Sequence, residues 1–151
     1  LVLGSATKFF HCPGVRLGWA LSDPEASAGL RAHQAPWMVS GLAQSMGVQC
    51  FKRINEYREM LRDLAERRKG LREKLSKLDV VRKVYPSAVN FLLVSIKHEY
   101  PVRNLWAGLL KRNILVRDCA TIPGLEAANC IRAQVLDEAS NERLVEALTQ
   151  A

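Results

Sequence analysis

The chain has 151 residues, 48% of them hydrophobic and 25% charged, with a formal net charge of +7. This is about one domain by the usual scale of roughly 100–200 residues, long enough to bury a real core. The composition excludes disorder, collagen-like repeats and a disulfide-stapled miniprotein, and no uninterrupted apolar run reaches the roughly 18 residues of a membrane helix.

In chain order, the opening Leu1-Val-Leu-Gly-Ser5 has no initiator Met, basic segment or cleavage pattern, so it is not a signal peptide. It reads as the end of a buried strand, and the expectation is a chain that begins partway through a larger protein. Residues 15–21 make a second short strand across a loop containing Pro13-Gly14. A short helix begins at Asp23-Pro24-Glu25, with Ser22 or Asp23 as its cap and Pro24 near the first helical position. Pro36 is expected to open the next helical stretch. From there to Leu78 no proline intervenes, and Ile54, Tyr57, Leu61, Leu64, Leu71, Leu75 and Leu78 fall on one face of a long helix. That helix is expected to bend near Gly47 or break near Gly70.

The period then changes. Val80 to Tyr85 and Asn90 to Ile96 are strand-like runs joined through Pro86-Ser87. A helix over 102–112, a strand from Ile114 to Arg117, a loop from Thr121 to Asn129, a strand from Cys130 to Val135 and a helix from Asp137 to Gln150 complete the chain. Residues 80–151 thus read as a small α+β unit, with the boundary inside the long helix.

Charge and cysteine usage narrow the chemistry. Between Lys52 and Lys77 there are ten basic and five acidic residues, interleaved at helical spacing, as in Glu59 with Arg62 and Asp63 with Arg67. No aromatic interleaving or binding signature accompanies them, so nucleic acid and membrane are not expected partners. A basic helical module docking an acidic partner remains a non-enzyme alternative. Cys12, Cys50, Cys119 and Cys130 form no CxxC pair and no His stands at finger-like spacing, so no metal is expected. The pattern fits reduced thiols in a cytoplasmic protein.

The most informative stretch is Ser5-Ala-Thr-Lys-Phe-Phe-His-Cys-Pro-Gly-Val-Arg-Leu-Gly-Trp19. Ser5 and Thr7 can donate to phosphate oxygens, and Arg16 can add a charge-assisted pair. Nearby cations and desolvation would favour a neutral Lys8 amine able to condense with an aldehyde. A surface loop with an incidental Lys and Arg fits the same residues. An arginine at 132, in a strand otherwise apolar, calls for an anionic partner.

The stretch resembles the cofactor-lysine motif of the fold-type I pyridoxal-phosphate enzymes, the aminotransferase class I/II family, through Ser5, Thr7, Lys8, Gly14, Arg16 and Gly18. His11 and Cys12 depart from the small and aliphatic residues usual there. Three further segments are similar to the same family in the same order: Gln34 to Gln44, Tyr85 to Val94, and Val116-Arg-Asp-Cys119 followed by Pro123-Gly-Leu125 and Cys130-Ile-Arg132. The resemblance implies an α/β fold: the C-terminal part of a transferase-like fold, with the last large-domain strands in 1–35, connecting helices in 36–78 and a small α+β domain in 79–151. It implies pyridoxal 5'-phosphate as cofactor, held by Ser5, Thr7, Lys8 and Arg16, with Lys8 catalytic. Arg132 would grip a substrate carboxylate and Arg117 a substrate phosphate, although an ion pair with Asp118 is an alternative for Arg117.

Thr7-Lys-Phe-Phe10, Pro13 to Gly18, Pro36-Trp37 and Arg117-Asp-Cys119 look most like the threonine-phosphate decarboxylase branch, which serves cobalamin biosynthesis, with the histidinol-phosphate aminotransferase branch as alternative. The implied partners are a phosphorylated, amino-acid-like substrate and a second copy in a homodimer. The family's enzymes are considerably longer, so the 151 residues are expected to be a C-terminal fragment, inactive by itself.

Overall fold

The structure, a computed structural model, describes residues 1–150. The chain divides into two compact units, Leu1–Met60 and Leu61–Ala151.

The first unit opens with an antiparallel ribbon of β1 (Val2–Ser5) and β2 (Gly18–Leu21), in which Gly4 faces Trp19 and Ser5 faces Gly18. A Cβ on Gly4 would come within 2.1 Å of the Trp19 indole, so a bare backbone is what lets that ring lie across the ribbon. Between the strands the expected loop carries one turn of helix, α1 (Ala6–Phe9), because Ser5 caps it. The helices α2 (Pro24–Ala32) and α3 (Gly41–Lys52) follow. Asp23 caps α2 through the N–H of Ala26 at 2.9 Å. Pro36 does not open α3; the start falls at Gly41, where Ser40 Oγ accepts from Ala43 N at 3.1 Å, and Trp37 sits at φ 61°, which helix cannot continue. The core is aromatic: Phe10 makes edge-to-face contacts with Phe9, Phe51 and Tyr57 at 4.6–5.2 Å, beside buried Ala6 and Cys50.

The long helix breaks at neither expected glycine. It breaks at Arg53, whose backbone N–H returns to the carbonyls of Cys50 and Phe51, and α4 (Ile54–Leu75) restarts immediately. Arg53 pairs with Glu56 at 2.6 Å across the new first turn. Gly47 is buried because Leu17 packs 2.6 Å from where its Cβ would be, whereas Gly70 is an uneventful interior residue of α4. The apolar face of α4 serves two cores in succession. Ile54 and Tyr57 pack on the aromatic cluster, and Leu64, Leu71 and Leu75 belong to the core of the second unit.

That second core lies on one face of a fully antiparallel sheet. Its strands are β3 (Val81–Val84), β4 (Phe91–Ile96), β5 (Arg117–Asp118) and β6 (Cys130–Gln134), in the spatial order β3-β4-β6-β5. Leu92, Val94 and Ile96 alternate with Ile131, Ala133 and Val135 into that core, against α4 and against α5 (Val102–Lys111) and α6 (Glu138–Thr149). β5 is shorter than the strand expected from Ile114, since Asn113 takes φ 57° and Leu115 is 76% exposed.

Helix α5 has no side-chain cap of its own. Asn129, at φ 46°, supplies it from across the fold: its Oδ1 accepts the N–H of Val102 at 3.0 Å, and its Nδ2 faces the carbonyls of Ile96, Lys97 and Tyr100 at 3.0–3.2 Å.

Carboxylates set the acid limit of the second unit. Asp137 caps α6, and its bonds from the Ser140 N–H and hydroxyl hold it below the usual carboxylate range. The Lys97 ammonium does the same to Asp79, and the Lys74 ammonium to Glu138. Carboxylates that bind protons less readily folded than unfolded contribute stability above the unfolded value, and it is lost as pH falls through the folded one. Thermal melts taken from pH 6 down to pH 3 should therefore show a declining Tm, with a shallower decline in Asp137→Asn.

Candidate functional site

Hydrogen bonds across the loop between β1 and β2 bring the sequence-selected residues of the first unit together. The N–H of Ala6 donates to Leu17 O at 2.9 Å, immediately beyond the Ser5–Gly18 strand pair. This staple brings Ser5 and Thr7 beside the turn that ends at Arg16, eleven and nine positions further on in sequence. Ser5 Oγ accepts the N–H of Thr7 at 3.2 Å, which leaves the hydroxyl proton of Ser5 free to donate. Arg16 lies in the left-handed region, φ 56° and ψ 49°, closing the short 3-10 turn Pro13–Val15. One guanidinium nitrogen of Arg16 donates to Pro13 O at 2.9 Å, and the remaining N–H donors are uncommitted. Lys8 stands on α1, whose neighbour Phe10 is 2% exposed and pins the turn to the aromatic core. The Lys8 side chain is itself exposed and has no ion pair among the described residues. The burial expected around it is absent from this chain.

The second unit holds the other two sequence-selected residues. Arg132 of β6 and Arg117 of β5 are direct cross-strand partners on the sheet face opposite the core. Arg132 is not buried. Its neighbours Ile131 and Ala133 take the inner face, so the strand alternates and the guanidinium lies outside. The guanidinium carbon of Arg132 sits 4.9 Å from the centroid of the Phe91 ring, a cation–π contact that holds the side chain without neutralising it. Arg117 does not pair with Asp118. It donates to Thr121 Oγ1 at 3.2 Å, while Asp118 caps the 3-10 turn Cys119–Thr121 through Ala120 N at 2.9 Å. Neither arginine meets a carboxylate within 4.0 Å among the described residues.

Two like charges directly opposed on a sheet destabilise it by up to about 1 kcal/mol. An anion placed between them would convert that repulsion into two charge-assisted hydrogen bonds. Phe91 was not among the residues picked from the sequence. The signal for it was the phase of β4, since Phe91 and Leu93 alternate with the core residues Leu92 and Val94 and so share a face with Arg132.

The four cysteines are free; burial, followed by the neighbouring Cys130, pushes the Cys119 thiol up. Among the described residues no helix is long and apolar enough to cross a membrane.

Comparison with known proteins gives the family. The family model described as aminotransferase class I and II matches residues 1–148. The threonine-phosphate decarboxylase of Salmonella typhimurium is 36% identical over 148 residues, covering 97% of this chain and 40% of the relative. A histidinol-phosphate aminotransferase from a Thermoanaerobacter species is 33% identical over 150 residues, covering 99% and 41%. The crystal structure of the histidinol-phosphate aminotransferase from Clostridium acetobutylicum superposes with a TM-score of 0.86 at 30% identity, over 98% of this chain and 44% of that one. The chain thus spans about two fifths of the length of the curated relatives it matches. The family is pyridoxal-phosphate dependent, and its fold is the α/β transferase-like fold implied by the resemblance. On the matching model and these relatives, the chain belongs to the aminotransferase class I and II family.

Proposed function

We propose that the whole protein is a pyridoxal-phosphate-dependent decarboxylase of L-threonine O-3-phosphate, acting in cobalamin biosynthesis as a cytoplasmic homodimer. In this reading residues 1–35 belong to a larger cofactor-binding domain, 36–78 connect, and 79–151 form the small domain. The observation that carries it is the stapled loop of the first unit, in which two hydroxyls, an uncommitted guanidinium and an unpaired lysine occupy one turn-and-strand junction. Those residues fit a phosphorylated aldehyde. Ser5 and Thr7 can donate to phosphate oxygens, Arg16 can add a charge-assisted pair, and Lys8 Nζ can hold the aldehyde carbon covalently.

The cofactor, when bound, supplies a sink for the electrons released at the substrate α-carbon. The rest falls to the chain. Arg132, steadied on Phe91, holds the substrate carboxylate and so fixes which α-carbon bond is presented for cleavage. Arg117 takes the substrate phosphate. Lys8 Nζ carries the proton that the α-carbon gains or loses.

The likeness to a histidinol-phosphate aminotransferase at 33% identity supports transamination as the second reading. One assay separates the two. With the whole protein, threonine phosphate should release carbon dioxide with no keto acid consumed, whereas histidinol phosphate turned over only with a keto acid would establish the alternative. Arg132→Gln should lower kcat/KM for either substrate roughly 10- to 100-fold, the worth of one or two charge-assisted hydrogen bonds. An unchanged value would remove Arg132 from the site. The 151-residue chain alone should bind the cofactor weakly and turn over neither substrate, as judged by borohydride trapping.

A further inference from the structure

The six cations from Arg67 to Lys77, at the end of α4 and just beyond it, fall into two sets. Arg67 pairs with Asp63 at 2.6 Å and donates to Leu136 O at 3.2 Å, and Lys74 bonds both Glu138 and Glu142 of α6. The expected pair of Glu59 with Arg62 is not among the ion pairs of the described residues. Arg68, Lys69, Arg72 and Lys77 form the second set. None of them is in an ion pair among the described residues, and all four line one cavity of about 730 Å³ beside the turn between β3 and β4. Glu73 is the one carboxylate in its wall, and Ser76 and Ser87 add hydroxyls, leaving an excess of three positive charges.

The cavity has an internal order. Arg68 and Arg72 stand four residues apart on one helix face, about 6 Å at 1.5 Å per residue, and Ser76, a turn further on, donates its hydroxyl to Arg72 O at 2.7 Å. Arg68 is anchored, half-buried, by donation to Val89 O at 3.1 Å, with its remaining donors uncommitted. Glu138 and Glu142 of α6 are engaged by Lys74 and pair with neither Arg68 nor Arg72. A concave surface with a net positive charge focuses potential and concentrates counter-ions. Its volume falls in the range of small-molecule sites, roughly 300–1,000 Å³. No aromatic side chain lines it, so it offers no platform for a stacked base.

The geometry points to a binding site for a small oligophosphate, a ligand bearing two or more phosphate groups read through Arg68 and Arg72, with Lys69 and Lys77 beside them. This site is independent of Lys8 and Arg16, which belong to the other unit. Isothermal titration of the 151-residue chain with sodium tripolyphosphate at 50 and 200 mM salt tests it. The expected result is saturable binding that weakens about tenfold or more at the higher salt. Arg68→Gln/Arg72→Gln should weaken it at least tenfold.

The exposed pair Lys69→Gln/Lys77→Gln, which touches no packing contact, should weaken it at least threefold; this keeps the test informative if the arginine variant melts early. Arg103→Gln, an exposed cation of α5 away from the cavity, should change affinity by less than twofold. Any anion site at Arg16 is intact in all these variants, so the differences report the cavity alone. Wild-type affinity in both groove variants would overturn the assignment. So would equal weakening by Arg103→Gln, or tighter binding of a single-stranded oligonucleotide than of tripolyphosphate at the same salt.

Discussion

Lys8→Ala in the whole protein is expected to lose activity on the order of 10³-fold or more, within the range that removal of a proton-carrying or covalent group produces. Lys8 is the one lysine on the turn that Ser5 caps and that the Ala6–Leu17 bond ties to the turn ending at Arg16, and no carboxylate pairs with its ammonium among the described residues. Its exposed position means that substitution removes no packing, so a lost activity would not be a lost fold. Three measurements check this: steady-state turnover, mass spectrometry after borohydride treatment, and a melting curve. Turnover and the trapped adduct should disappear together while Tm holds within a few degrees. Lys8→Arg, which keeps the charge and loses the nucleophile, should be as inactive as Lys8→Ala. Activity above a tenth of wild type in either variant would dismiss the lysine from the mechanism.

Asn129→Ala should destabilise the second unit by about 3 kcal/mol. One amide there satisfies the otherwise uncapped N–H of Val102 and three strand and loop carbonyls. Buried polar groups left without partners cost about 1–3 kcal/mol apiece, and the carbonyls regain some of that from water. Asparagine also tolerates the φ of 46° better than alanine does. Asn129→Asp is the sharper probe. It preserves the acceptor for Val102 but turns an oxygen toward three carbonyls, so it should destabilise at least as much as alanine at neutral pH. Urea denaturation of the three proteins gives the answer, and a loss under 1 kcal/mol for Asn129→Ala would mean that the hub is dispensable.

Neither residue was equally visible beforehand. Lys8 stood out because its hydroxyl, glycine and arginine neighbours lie within twelve positions, and local chemistry of that kind survives in a linear string. The capping aspartates at 23 and 137 were legible for the same reason, as were the alternating runs that became β4 and β6. Asn129 and Phe91 were not, since their partners come from other elements and depend on register.

The start of α3 was misplaced because proline at 36 is a permissive signal, whereas Ser40, with an accepting hydroxyl and no left-handed neighbour after it, is a sufficient one. The break at Arg53 has no glycine or proline to announce it. Arg132 was expected to need an anionic partner because its strand looked apolar throughout; one-residue alternation instead puts it outside the core, opposite Arg117, with no carboxylate paired to it among the described residues. The cavity on α4 was invisible because ten cations in a row do not say which of them α6 will occupy.

Position 16 carries a bulky side chain on a backbone shape that suits glycine, and holding a non-glycine residue there forfeits on the order of 1 kcal/mol. On the role proposed for Arg16, durability and phosphate affinity therefore pull in opposite directions at this one residue. A campaign of directed evolution that rewarded heat resistance alone would find glycine at 16 early, and would harvest sturdier molecules that have let go of the anion.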